Sequence, residues 1–215
     1  MKPFQRLTAL VVPLDRADVD TDAILPKQFL VSLSKSGYGD ALFAGWRYRE
    51  RGPLVMGESE RVPNPEFALN EPRYHGAEIL LCRRNFGCGS SREQAPWALR
   101  DYGVQALIAP SYGAIFYDNC LKNGLLPVVL TEAIVDRLFT VVTARAGYQL
   151  TIDLPAQKVL TPEGEALTFS IDAFRKRCLI ESLDDITYAL GHVDKIRAFE
   201  ASRREEAPWL FRTIQ

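Results

Sequence analysis

The chain has 215 residues with 26 Lys and Arg against 27 Asp and Glu, for a formal net charge of −1. That length favours one domain with a core of its own. The near-neutral charge gives no ground for a nucleic-acid or anionic membrane partner, and no apolar run reaches the roughly 18 residues of a membrane span.

Leu7–Pro13, "LTALVVP", reads as a first strand, and the opening "MKPFQRLTALVVPLDR" as that strand rather than a signal peptide. Asp15–Gly39 reads as an ordered acidic loop followed by a mobile one near 30–39, and Arg47–Phe67 as loop, with Pro53, Pro63 and Pro65 inside it. Ala77–Cys82 is nearly all apolar, as in a strand buried on both faces. Ala95, Ala98, Leu99 and Tyr102 follow at helical spacing. Val104–Pro110 is a second buried strand, Tyr112–Gly124 a helix, Leu125–Leu130 a third strand, and Thr131–Gly147 a helix opening on threonine and closing on glycine. Alternating strands and helices imply a parallel βαβ core. After Gly147 the pattern alternates between turns, as in antiparallel strands, and a helical extension begins at about Ala173. The expected fold is α/β, a parallel core with added antiparallel strands and a helical tail.

The stretch "NFGCGSSREQAPWAL" (Asn85–Leu99) sits where the first buried strand gives way to a helix. Ser90 and Glu93, and likewise Ser91 and Gln94, have capping-box spacing. Pro96 is tolerated only in a first turn, because deeper in a helix it costs roughly 3 kcal/mol. Regular helix therefore starts near Gln94 or Ala95, and Gly87–Glu93 is a loop with free amides. Open α/β sheets bind ligands at such strand-to-helix turns, and a helix N-terminus favours anions. Arg92 adds a planar fork suited to a carboxylate. Spacing alone leaves a second reading open, in which the serines only cap the helix and Arg92 is a surface residue. Gly87-Cys88-Gly89 is neither a Walker A loop nor a complete dinucleotide fingerprint.

The acidic stretch "DVDTDAILP" (Asp18–Pro26) carries three alternating carboxylates without the later ligands of a calcium loop. It reads either as an Asp-capped turn or as the source of a carboxylate that orients a catalytic group. Cys82, Cys88, Cys120 and Cys178 make no CxxC pair, and His75 and His192 are the only histidines, so no metal site is expected in this chain. Cys88 is expected to pack under the loop and the other three thiols to lie in the core. Unpaired cysteines point to a reducing, cytoplasmic setting.

These segments closely resemble one family. "NFGCGSSRE", "DVDTDAILPKQFL" and "APSYGAIFYDNCLKNGLLPV", with "LFAGWRY", "PNPEFALN" and "FSIDAFRKRCL", are similar to the small subunits of bacterial 3-isopropylmalate dehydratases, themselves similar to the swivelling domain of aconitases. The resemblance covers nearly the whole chain, so it implies a single swivelling β/β/α-type domain over 1–215. It implies a hydro-lyase of leucine biosynthesis that isomerises 2-isopropylmalate and 3-isopropylmalate by dehydration and rehydration. It also implies a 4Fe–4S cluster bound by a large subunit rather than by this chain, and hence a heterodimer, inactive as the small subunit alone.

Carried over by motif, Ser90 is the catalytic base, Ser91 and Arg92 bind a substrate carboxylate, and Asp22 is the second catalytic residue, pairing with a histidine acid of the large subunit. The segment Leu30–Gly39 lies where the family holds a specificity loop. The aconitase arginine for a third carboxylate has no counterpart between Pro26 and Gly37, which suits an isopropyl-bearing substrate. Three features depart from the family pattern. Gln94 stands for a histidine, Gly113-Ala114 stands for alanine and aspartate, and the Arg47–Pro63 loop is longer. They leave two alternatives open: a related hydro-lyase acting on another 2-hydroxy diacid of the methylmalate or dimethylmalate type, or a non-catalytic binding or scaffold module.

Overall fold

The computed structural model describes residues 2–30, 36–49, 61–90 and 92–211. In chain order its elements are β1 (Arg6–Leu14), α1 (Thr21–Ile24), α2 (Ala44–Arg47), β2 (Ile79–Cys82), α3 (Gln94–Tyr102), β3 (Ala106–Ala109), α4 (Ala114–Lys122), β4 (Leu126–Val129), α5 (Glu132–Ala144), β5 (Gln149–Asp153), β6 (Lys158–Leu160), β7 (Ala166–Thr168), α6 (Ala173–Glu181), α7 (Asp185–Leu190) and α8 (Val193–Glu206). The mixed α/β architecture expected from the sequence is the one observed, and the helical tail begins at Ala173.

The strands form one seven-stranded sheet in the order β4-β3-β2-β1-β5-β6-β7. β1 to β4 run parallel, and β5 to β7 add an antiparallel wing. β1 joins the two halves. Arg6–Leu10 pair with Asp153–Gln149, while Val11–Leu14 pair with Ile79–Cys82. Its burial follows the change of neighbour, since Val11 to Leu14 are all buried and the first half alternates. Pro13, which has no N–H to give, stands beyond the last residue paired with β5, so no antiparallel neighbour lacks a donor. Pro127 is likewise on β4, at the sheet edge.

β2 and β3 are buried along their full length, as their apolar runs require. α5 packs against β1, β2 and β3 through an apolar stripe of Val135, Leu138, Phe139 and Val142. Thr131 is its N-cap residue but makes no side-chain capping bond, and the helix ends at Ala144, short of Gly147.

The chain divides into two compact units, Met1–Ser182 and Leu183–Gln215. The first holds the whole sheet. The second contains α7, capped by the Asp184 carboxylate accepting from the Thr187 amide at 2.7 Å, and α8, whose Arg204 lies 5.1 Å from the centre of the Phe211 ring. Residues 31–35 and 50–60 lie outside the described residues, so the segment expected to be a mobile loop near 30–39 is described only at its two ends. At one of those ends Tyr38 is fully buried, and its amide donates to the Asp101 carboxylate at 3.0 Å.

Candidate active site

Three loops leave the C-terminal ends of β1, β2 and β3 and continue side by side, where a parallel sheet offers its ligand crevice. The β1 and β2 loops pair as an extra rung at Asp20 and Cys88, and the β2 and β3 loops at Phe86 and Tyr112. The Val19 carbonyl accepts from the Gly87 and Cys88 amides at 2.7 and 3.2 Å. The Thr21 amide then donates to the Cys88 carbonyl at 3.0 Å, and the Gly113 amide to the Phe86 carbonyl at 2.9 Å. "NFGCGSSRE" and "DVDTDAILP" are therefore neighbours in space.

The glycines have definite tasks. Gly87 has φ of 74°, and a Cβ there would run into the Phe116 ring. Gly113 lies so close beneath it that a Cβ would come within 2.5 Å of the Gly87 carbonyl oxygen. That close approach is a physical reason for glycine at position 113, where the family pattern has alanine. Nothing in the structure explains Gln94 or Ala114.

The three carboxylates of the acidic stretch do three different things. Asp18 holds a left-handed φ of 55° and accepts from the Asn85 side-chain amide at 2.9 Å. Asp20 caps α1, accepting from the Ala23 amide at 2.7 Å. Asp22 reaches across and accepts from Arg92 Nη1. The turn-capping reading thus describes Asp20, Asp18 ties its loop to Asn85, and Asp22 orients a charged neighbour. Arg92 is about one-fifth exposed and Asp22 half exposed, so the guanidinium is held in place with further N–H groups to offer.

Ser90 is exposed, and its carbonyl accepts from the Thr21 hydroxyl and the Arg92 amide, both at 3.0 Å. The structure therefore brings Ser90, Arg92 and Asp22 together, while Ser91 lies outside the described residues. α3 begins at Gln94, as Pro96 requires. The expected Ser90–Glu93 capping box is not formed. Glu93 is itself the N-cap residue and makes no side-chain cap bond, and its carboxylate accepts from Asn123 Nδ2 at 3.0 Å instead. Asn123 also accepts from the Trp97 indole at 2.8 Å, which ties the start of α3 to the end of α4. Beside Asp20 lies a cleft of about 410 Å³ walled by Arg16, Asp18, Ala23 and Trp46, with the Arg16 guanidinium 4.5 Å from the centre of the Trp46 ring.

Sequence reasoning missed Thr21, Asn85 and Asn123 as builders of this site, and singled out Gly113 only as a departure from the family pattern. Each of the three missed acts through hydrogen bonds to residues distant in sequence, which leave no periodic trace.

The four thiols differ in burial. Cys82 and Cys120 are buried, Cys88 and Cys178 half-buried, and burial followed by the charges of Asp20 and Asp18 pushes the Cys88 thiol up. Cys178 is thus less enclosed than expected. Among the described residues, no group of three or more His, Cys, Asp or Glu is placed to hold a metal ion. Among them too, no helix is long and apolar enough to cross a membrane.

Comparison with known proteins meets this geometry. The family model for the aconitase C-terminal domain matches residues 1–133, LeuD_N matches 136–173, and the model for the C-terminal domain of 3-isopropylmalate dehydratase small subunits matches 185–213. The 3-isopropylmalate dehydratase small subunits of Neisseria meningitidis serogroup C and Neisseria gonorrhoeae are each 59% identical over 211 residues, covering 98% of this chain and 99% of theirs. A crystal structure of 3-isopropylmalate dehydratase from Methanocaldococcus jannaschii superposes with a TM-score of 0.60 at 22% identity, covering 92% of this chain and 99% of that one, and supports the fold. With 59% identity along nearly its whole length, the chain belongs to the 3-isopropylmalate dehydratase small-subunit family, built on the aconitase C-terminal domain.

Proposed function

We infer that this chain is the small subunit of a 3-isopropylmalate dehydratase, a hydro-lyase of leucine biosynthesis that interconverts 2-isopropylmalate and 3-isopropylmalate. The observation that carries the reading is the loop in which Asp22 holds Arg92 two residues from an exposed Ser90. Its partner is a large subunit, which the name of its relatives implies, and the working pair is cytoplasmic.

Arg92 offers its remaining N–H groups to one substrate carboxylate, and Ser91 completes that contact. The substrate is thereby placed with the C–H next to a carboxylate against Ser90. Ser90 Oγ takes that proton as the C–O bond on the neighbouring carbon breaks, a departure that a cluster on the large subunit would assist as a Lewis acid; in rehydration the proton and the hydroxyl return to exchanged carbons. A serine oxygen is a poor base unless its anion is stabilised. The Arg92 charge is the group of this chain that does so, since the Gly87, Cys88 and Arg92 amides, expected to be free, donate to the Val19 and Ser90 carbonyls. Asp22 fixes Arg92 through Oδ1 and leaves Oδ2 for an acid group of the large subunit.

With no group of three or more possible ligands among the described residues, the thiols do not fit a cluster. In this reading a 4Fe–4S cluster belongs wholly to the large subunit, and this chain's part is substrate binding and proton transfer. A methylmalate-type diacid is the second reading, favoured by the unexplained Gln94 and Ala114.

The test is co-expression with the cognate large subunit, anaerobic cluster reconstitution and a panel of 2-hydroxy diacids. Turnover of isopropylmalate is expected. Turnover of methylmalate with none of isopropylmalate would overturn the first reading in favour of the second.

A further inference from the structure

Thr21 stands between two carboxylates in "DTD", yet it is only 1% exposed. Its two polar groups grip the neighbouring loop on both sides of Gly89. The Thr21 amide donates to the Cys88 carbonyl at 3.0 Å, and the Thr21 hydroxyl donates to the Ser90 carbonyl at 3.0 Å. Gly89 itself has φ of 84°, and the Cβ it lacks would have only the Asp20 side chain nearby, at 3.4 Å. The chain is therefore most easily bent at Gly89, just before the exposed Ser90. Among the described residues, the Ser90 carbonyl is held, apart from Thr21, only by the amide of Arg92, two residues along the same loop. A bond within the loop cannot fix the loop against the sheet.

We propose that Thr21 is a positioning residue for the proton-transfer step: its buried hydroxyl, bonded to the Ser90 carbonyl across Gly89, sets the direction in which Ser90 Oγ meets the substrate. The proposal rests on the reading of Ser90 as the base. Threonine suits the task because its β-branched side chain is stiff at χ1. Its hydroxyl would be costly to bury without a partner, so the bond to Ser90 is kept. The next residue, Asp22, holds Arg92 from the same turn. One turn of helix thus sets the spacing between the proton acceptor and the carboxylate binder.

The experiment uses the reconstituted heterodimer with isopropylmalate as substrate. Thr21→Val keeps the shape and the branching and removes the hydroxyl, while Thr21→Ser keeps the hydroxyl. Displacement of a reacting group by about 1 Å costs on the order of 100-fold in rate. Thr21→Val is therefore expected to lose about 100-fold in kcat with KM within about threefold, because Arg92 is untouched. Thr21→Ser is expected to stay within about threefold of wild type in both constants. Should Thr21→Val fail to assemble with the large subunit, Thr21→Ala against Thr21→Ser carries the same comparison.

Wild-type kcat in Thr21→Val would overturn the proposal. So would an equal loss in the valine and serine variants, or a loss confined to KM, since those are the marks of packing alone. An inactive wild-type heterodimer would instead count against the functional reading itself, so the two failures are told apart.

Discussion

Asp22 and Arg92 lie 70 residues apart in sequence, and the Asp22 carboxylate accepts a hydrogen bond from the Arg92 guanidinium. Two motifs from two strand-end loops become one site through this contact and the Thr21–Ser90 bond beside it. Arg92 is the less exposed partner, so its orientation is set before any substrate arrives.

Asp22→Asn keeps the shape and removes the charge. The half-exposed pair is worth at most about 1 kcal/mol to folding, so the thermal midpoint should move by only a few degrees. Activity should fall much further, with kcat/KM down at least about tenfold as the arginine loses its fixed pose. Arg92→Lys should also lose activity, because a lysine has no planar fork for a carboxylate. Steady-state kinetics beside a melting curve separates the two effects. Full activity in Asp22→Asn would show that the pair is not part of the machinery.

The glycine contact makes a sharper stability prediction. Gly87→Ala puts a Cβ into the Phe116 ring at a positive φ, and should cost about 2–4 kcal/mol. Gly113→Ala brings a Cβ to 2.5 Å from the Gly87 carbonyl and should cost about 1–3 kcal/mol. Denaturant midpoints measure both. An alanine at 113 without cost would mean that the cradle gives way as a unit, and that glycine is not required there.

Tyr148 and Glu163 predict the pH response of the antiparallel wing. The Tyr148 hydroxyl donates to Glu163 at 3.0 Å, and Arg145 donates to the same carboxylate. Burial, and then the bond to Glu163, push the tyrosine up to about 12. A folded value above the unfolded one, about 10, gives stability that is complete below pH 10 and is lost as pH rises towards 12. Glu163 is shifted the other way, first by the bond from its own backbone amide and also by the Tyr148 hydroxyl. Its contribution is present above the ordinary glutamate range and is lost as pH falls below it. Tyr148→Phe should flatten the alkaline side of a stability–pH curve and Glu163→Gln the acid side. Unchanged curves would contradict the pairing.

The parallel core was legible because its signals are local. The apolar runs at Ile79–Cys82 and Ala106–Ala109, and the stripe through Ala95, Ala98 and Leu99, name their own elements. Pro96 placed the start of α3 to within a residue. The capping box failed because Glu93 met Asn123, a partner 30 residues away, and no spacing rule sees such a bond. Thr21 was hidden for the same reason, a buried hydroxyl in a stretch that reads as an acidic surface turn. Arg92 stood out as a carboxylate fork at the strand-to-helix turn, the roles expected of Ser90 and Asp22 came from the family resemblance, and the convergence of the three needed the fold.

The central claim is that Ser90 moves the proton. Its most direct measurement is anaerobic isopropylmalate turnover by the Ser90→Ala chain with its large subunit, beside wild type. Because Ser90 is exposed and its loop is held through the backbone carbonyl, the alanine chain should assemble normally and keep its melting temperature. Loss of the base should lower kcat by about 100- to 10,000-fold. A Ser90→Ala heterodimer that turns over at near wild-type rate would contradict the account.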